Sequence, residues 1–239
     1  MEAEAQAVKR VMGIFAHPDD PEFFCGGTFA RWADEGAHIA FVLATSGDKG
    51  SGDPDMTPEA LVAIREQEER NAAAALGVGE VVFLHYIDGE LEPSLALRCD
   101  LVREIRRFKP DIVVTCDPTV FWFGDRALNH PDHRAIGVAT LEAIYPTARD
   151  RLNFPQLLRD EGLEPHKVKQ VYITGSYSPN TKVDVSDYLE TKIAALREHK
   201  SQIADMDGMA ERQRANRDPE APLDQPRYME MFRVITFDR

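Results

Sequence analysis

The chain has 239 residues, 43% hydrophobic, 8% aromatic and 29% charged, a globular composition long enough to bury a substantial core. Its 41 acidic residues against 28 basic ones give a net charge of −13, and no basic patch accompanies them, so a nucleic acid is excluded as the expected partner. Three widely spaced cysteines, Cys25, Cys99 and Cys116, form no CxxC pair; they exclude a disulfide framework and suit a reducing compartment.

The opening Met1-Glu2-Ala3-Glu4-Ala5 is acidic and lacks the apolar stretch of a secretory leader. No apolar run approaches membrane-spanning length, so a cytoplasmic protein without stable membrane insertion is expected. An apolar run predicts a strand over 11–16, and Gly26-Gly27 opens a helix over 27–35. A second strand is expected over 39–45. The loop that follows it, Thr45-Ser46-Gly47-Asp48-Lys49-Gly50-Ser51-Gly52, is as well placed to border a site as to be an ordinary exposed loop. Thr57 as N-cap and Pro58 at the first helical position start a helix over 57–76 that stops at Gly77. A strand over 81–84 and a helix over 94–108, capped by Ser94, come next. The Arg103-Glu104-Ile105-Arg106-Arg107 run in that helix reads as a solvated face.

A strand over 112–115 precedes a segment containing Phe121, Trp122 and Phe123, aromatics that suggest an apolar wall near a site but more often belong to a core. A helix over 132–144 stops before Pro146, and a strand is expected over 171–174. Alternating strands and helices predict βαβ units and an α/β fold with a mostly parallel sheet, one domain over 1–239. Beyond it, 183–185 is a short strand, 186–204 carries helical periodicity and 231–235 is a last strand. The stretch 205–227, with many charges and prolines and few large apolar residues, is expected as a long mobile loop or lid.

The strand over 11–16 delivers His17-Pro18-Asp19-Asp20-Pro21-Glu22 at its C-terminal tip, where an α/β protein places a metal or catalytic group. Far downstream stands His130-Pro131-Asp132-His133. Together the two segments offer three or more N and O ligands, the composition of a catalytic zinc centre with one open position, although the same donors also suit ferrous iron. The competing reading makes the first segment a helix cap and the two histidines surface residues. The doubled aspartate speaks against capping alone, since one can ligate while the other stays free to take a proton. No GxGxxG, GxxxxGK[ST] or GxSxG motif is present, so the common dinucleotide, phosphate and serine-nucleophile signatures are absent.

The segment HPDDPEFFCGGT, from His17 to Thr28, resembles the LmbE-like (PIG-L) zinc-dependent N-deacetylases. The resemblance continues through TSGDKG, Arg65-Glu66-Gln67-Glu68, Asp88-Gly89-Glu90-Leu91, HPDH and His199-Lys200-Ser201-Gln202, and so spans nearly the whole chain. One departure is Pro21 before Glu22, where the commonest form places Glu directly after the second Asp. The resemblance implies a Rossmann-like three-layer fold and a zinc-dependent hydrolase removing an N-acetyl group from an amino-sugar substrate. It implies His17, Asp20 and His133 as zinc ligands, Asp19 as general base, and His130, oriented by Asp132, as the group that stabilises or protonates the transition state. It places Arg65 and Asp88 against the sugar, assigns no role to Glu22 or His199, and implies assembly into a homo-oligomer. A packed helix histidine is the reading for His199. An amidase of thiol-conjugate amides with the same zinc chemistry and a non-catalytic metal-bound binding module remain as alternatives.

Overall fold

The structure, a computed structural model, describes residues 9–125, 127–222 and 224–237; the opening stretch read for a leader lies outside them. In chain order the elements are β1 (Arg10–Phe15), α1 (Asp20–Asp34), β2 (His38–Thr45), α2 (Pro58–Ala75), β3 (Glu80–Tyr86), α3 (Leu95–Phe108), β4 (Ile112–Cys116), β5 (Trp122–Phe123), β6 (Ala127–Leu128), α4 (Pro131–Glu142), α5 (Pro155–Glu161), β7 (Gln170–Thr174), β8 (Thr181–Asp184), α6 (Leu189–Leu196), α7 (Met206–Ala215) and β9 (Met229–Thr236).

Alternate side chains of a strand leave opposite faces. From β1, Val11 and Phe15 pack with Phe29 and Trp32 of α1 and Ala72 and Ala73 of α2. Met12 and Ile14 pack on the other face with Leu97, Leu101 and Ile105 of α3 and Ile136 and Ala139 of α4. With both faces covered, the strand reads as a continuous apolar run rather than an alternating one. Five strands pair in parallel in the order β3-β2-β1-β4-β7, and β9 and β8 extend that edge in antiparallel fashion. This is a mostly parallel α/β sheet between two helical layers.

The chain runs outward from β1 to β2 and β3, then returns to β4 on the other flank of β1. The order therefore reverses between β1 and β4, and a crevice opens beyond the C-terminal ends of those strands. His17 follows β1 there, and α4 starts there after the β5–β6 hairpin.

The N-caps are those expected: Thr57 accepts the Ala60 N–H and Ser94 the Leu97 N–H. Helix α1 differs. It begins at Asp20 and is kinked at Cys25, whose φ of −153° leaves the helical region. The N–H groups freed by the kink, at Gly27 and Thr28, donate to the Glu230 carboxylate of β9 at 3.1 and 2.7 Å, and Lys192 of α6 neutralises that carboxylate at 2.7 Å. The glycine pair thus marks the second half of α1. At Gly27 a Cβ would lie 2.7 Å from the Val185 side chain, so a glycine lets the helix approach.

Two further expectations need correction. The stretch 205–227 contains α7, capped by Asp205, which accepts the Gly208 N–H at 2.9 Å. Met209 and Ala210, with Met206 half-buried beside them, dock it on Leu189, Ile193, Leu196 and Ile203, and so few apolar residues leave no pattern in the composition. On α3, Arg103 and Arg107 are solvated, but Arg106 is fully buried and donates to the carbonyls of Thr147, Ala148, Asp150 and Asn153. No helix among the described residues is long and apolar enough to cross a membrane.

Candidate active site

His17, Asp20 and His133 meet at the crevice, with one ligand atom from each lying within 4.8 Å of the others. Asp20 bridges the pair: its Oδ2 is 3.4 Å from His17 Nδ1 and its Oδ1 is 3.0 Å from His133 Nε2. Asp20 also accepts the His17 backbone N–H at 2.9 Å, which tightens the turn after β1. Burial opposes its charged form, but the neighbouring His133 and His17 override this and hold Asp20 far below the usual carboxylate range.

The far nitrogen of each imidazole is held as well. His17 Nε2 lies 3.1 Å from Asp88 Oδ1 and 3.2 Å from Asp132 Oδ2. His133 Nδ1 lies 2.9 Å from the Asn129 side-chain oxygen. Asn129 is itself fixed, donating to the Val120 carbonyl at 2.7 Å. An amide oxygen can only accept, so His133 carries a proton on Nδ1, and its Nε2 is the nitrogen that faces Asp20. Imidazoles whose second nitrogen is engaged by a carboxylate or carbonyl are the usual arrangement of histidine metal ligands.

The charge balance points the same way. Burial disfavours a charged His17, but hydrogen bonds with Asp132, Asp20 and Asp88 outweigh it and push the imidazole up to about 12. Carboxylates thus dominate a pocket that a divalent cation would neutralise. Two imidazoles and one carboxylate, with room for a further oxygen, form a donor set that fits zinc.

Asp19 stands apart from this set. It is the N-cap of α1, yet its side chain makes no cap hydrogen bond among the described residues, which removes the capping explanation of the doubled aspartate. Burial first, and then the negative charge of Asp20, push Asp19 up to about 6, against the opposing pull of Arg65. A carboxylate poised there is suited to general base work near neutrality.

The sequence expectations for its neighbours are corrected at Asp132 and at Phe121 and Trp122. The Asp132 carboxylate does not orient His130: the two side chains come no closer than 3.9 Å, whereas that carboxylate faces His17 and accepts the Gly89 N–H at 2.7 Å. His130 instead accepts the Asp132 backbone N–H on Nδ1 at 3.3 Å, so the neutral ring carries its proton on Nε2. Burial and the His17 charge hold His130 below its ordinary value and favour that neutral form.

Arg65, which the resemblance places against a sugar, is held by the protein backbone. It is buried and donates to the Pro18 carbonyl at 2.8 Å and the Gly47 carbonyl at 3.1 Å, with Asp19 Oδ2 at 3.4 Å. Phe121 and Trp122 form neither core nor wall. They are 54% and 56% exposed, and the aromatic against His133 is Phe24, 5.5 Å between ring centroids.

His17, Asp19, Asp20, Arg65, Asp88, His130 and His133 together line a cavity of about 250 Å³. A neighbouring cavity of about 340 Å³ runs along Ser46, Asp48, Tyr86 and Ile87. Asp48 links the two, since it accepts the Asp88 N–H at 2.9 Å. The glycine-rich loop after β2 therefore borders the site. It does so through Gly47, whose φ is +67° and where a Cβ would sit 2.1 Å from the Arg65 guanidinium. Gly47→Ala should displace Arg65 and destabilise the fold by about 1–3 kcal/mol. Urea unfolding checks the second effect, and a crystal structure of the variant checks the first.

Asn129, Asp48 and Glu69 were not singled out by sequence. Asn129 had one local signal, its place directly before His130. Glu69 had none beyond its spacing of four from Arg65; it now proves fully buried, accepting the Asp19 N–H at 3.0 Å. Glu22 and His199 are likewise fully buried, with His199 in the turn after α6 rather than within a helix. Burial raises Glu22 to about 8 and Glu69 well above the usual carboxylate range.

Residues 12–144 match the PIG-L family, described as GlcNAc-PI de-N-acetylase. The chain belongs to the PIG-L family. The matched span of this PIG-L protein includes every residue of the 250 Å³ cavity, while His199 lies beyond it. A diacetylchitobiose deacetylase of Thermococcus kodakarensis is 35% identical over 196 residues, 82% of this chain and 71% of that protein. A 1D-myo-inositol 2-acetamido-2-deoxy-alpha-D-glucopyranoside deacetylase of Saccharomonospora viridis is 30% identical, covering 80% of this chain and 84% of that protein. Among solved structures, the N,N'-diacetylchitobiose deacetylase from Pyrococcus horikoshii, complexed with its inhibitor MPG, superposes with a TM-score of 0.85 at 31% identity. That match covers 96% of this chain and 85% of that one.

Proposed function

We propose that this PIG-L protein is a zinc-dependent N-deacetylase that hydrolyses the acetamide of an amino-sugar substrate. The observation that carries the reading is the division of labour at the tip of β1. Asp20 stands between two oriented imidazoles, and Asp19, freed from capping, enters the same cavity beside Arg65. The names of the relatives, deacetylases of N-acetylated sugars, supply the substrate class.

His17, Asp20 and His133 would hold the ion. Bound there, zinc would acidify a water and polarise the amide carbonyl. Asp88 and Asp132 fix the ring of His17, and Asn129 fixes that of His133. Asp19 takes the proton as the water oxygen bonds to the carbonyl carbon. The Nε2–H of His130 donates to the carbonyl oxygen as it gains negative charge. Asp19 then returns its proton to the nitrogen as the C–N bond breaks, which an amide needs because an unprotonated amine anion is a poor leaving group. The products are acetate and a free amine. The adjoining 340 Å³ cavity offers room for the remainder of the substrate. The free cysteines Cys25, Cys99 and Cys116 support a reducing compartment such as the cytoplasm.

The test is acetate release from N,N'-diacetylchitobiose and from other N-acetylglucosamine conjugates by zinc-loaded protein. Stoichiometric acetate and amine from at least one of them is expected. Zinc-loaded protein that releases acetate from no member of the panel contradicts the reading, and release of a larger acyl group from thiol conjugates favours the amidase.

A further inference from the structure

Asp19 sits in the left-handed region, with φ 86° and ψ −27°, a conformation an L-residue holds only when its surroundings impose it. Both polar groups of the peptide that enters it are held by one helix. The Pro18 carbonyl accepts from Arg65 Nη2 at 2.8 Å, and the Asp19 N–H donates to Glu69 Oε2 at 3.0 Å. Arg65 and Glu69 are four apart on α2 and so share a face one turn apart. Behind Glu69 lies a closed polar cluster. His199 Nε2 is 3.8 Å from Glu69 Oε2 and 3.3 Å from Glu22 Oε2, and all three side chains are fully buried. The segment carrying His199 is pinned to the same helix, since Ser201 donates to Glu68 from its N–H at 2.8 Å and from its hydroxyl at 2.6 Å.

We propose that Glu69, backed by His199 and Glu22, is a positioning residue for the reaction: with Arg65 it clamps the Pro18–Asp19 peptide at both ends and fixes the backbone from which the Asp19 carboxylate enters the cavity. The proposal rests on the deacetylase reading for its kinetic consequence but not for its structural one. A buried carboxylate is retained here because the Asp19 N–H needs an acceptor at one fixed point. A reacting group misplaced by about 1 Å can lose 10²-fold in rate.

The test compares Glu69→Met, which fills the space without an acceptor, with Glu69→Gln, which keeps one. In Glu69→Met, kcat should fall at least tenfold with KM and the zinc equivalent unchanged. Glu69→Gln should stay within about threefold of wild type. In an Asp19→Asn background Glu69→Met should have no further effect on kcat, because the group it positions no longer accepts a proton. A crystal structure of Glu69→Met should show Asp19 out of the left-handed region, a result that does not depend on turnover.

A Glu69→Met structure with Asp19 unmoved overturns the proposal even if no substrate is ever found. A tenfold loss in Glu69→Gln also overturns it, and that variant decides alone if Glu69→Met does not fold. The Glu22, Glu69 and His199 donor atoms also lie within 4.8 Å of one another. A wild-type protein carrying two metal equivalents, one lost in Glu69→Gln, would make the cluster a buried metal centre and overturn the positioning role.

Discussion

Asp19→Asn should lower kcat by roughly 10²–10⁴-fold, the usual contribution of a general base, while the protein keeps its full zinc equivalent. Asparagine preserves the size of the side chain and its contact with Arg65, and removes only the capacity to accept a proton. Asp20→Ala should behave differently. It deletes the carboxylate that bridges His17 and His133 at 3.4 and 3.0 Å, so zinc and turnover should be lost together. The two carboxylates are adjacent in the chain, so a difference between the variants isolates role from location. The measurement is zinc stoichiometry and kcat for both proteins side by side. Zinc lost from Asp19→Asn but kept by Asp20→Ala reverses the roles. Near wild-type kcat in zinc-loaded Asp19→Asn means that another group takes the proton.

The second large effect falls on His133 and its support. His133→Ala removes one of three donors and should strip most of the metal from dialysed protein, read by elemental analysis. Asn129→Ala leaves the donor in place but frees its second nitrogen, which no longer has the Asn129 oxygen at 2.9 Å to fix ring and tautomer. Loss of such an outer partner weakens metal binding by roughly 10–100-fold. A zinc titration against a competing chelator should therefore rank wild type above Asn129→Ala and both above His133→Ala. Retention of a full equivalent by His133→Ala would move the ligand assignment to His130. Unaltered affinity in Asn129→Ala would show that the ring is oriented by packing against Phe24 alone.

Most of the sheet was legible because its strands are buried on both faces and bounded by turn residues, as the run 11–16 shows. What escaped prediction depended on contacts between distant segments. The kink at Cys25 is stabilised by Glu230, 205 positions away, and nothing near Cys25 announces it. Helix α7 docks through Met206, Met209 and Ala210, too few for an apolar pattern. At the site, residue types and strand-end placement pointed to a group of N and O ligands from two segments, the family resemblance implied His17, Asp20 and His133 among them, and the fold brings these three together. The partners of those donors could not be read in the same way. Whether Asp132 faces His130, two positions away, or His17, 115 positions away, is decided by the direction of α4 across the end of β1, and the nearer residue was the wrong choice. The resemblance placed Arg65 against a sugar; only the fold shows the carbonyls of Pro18 and Gly47 converging on it.

Zinc titration of chelator-treated protein tests the central claim most directly, with acetate release from N,N'-diacetylchitobiose or whichever conjugate proves to be the substrate followed at each addition. Activity should be absent at the start, rise in proportion to zinc and level off at one equivalent per chain, and the same titration of His133→Ala should stay flat. Acetate release that survives complete removal of metal, or that rises with zinc equally in His133→Ala, contradicts the account.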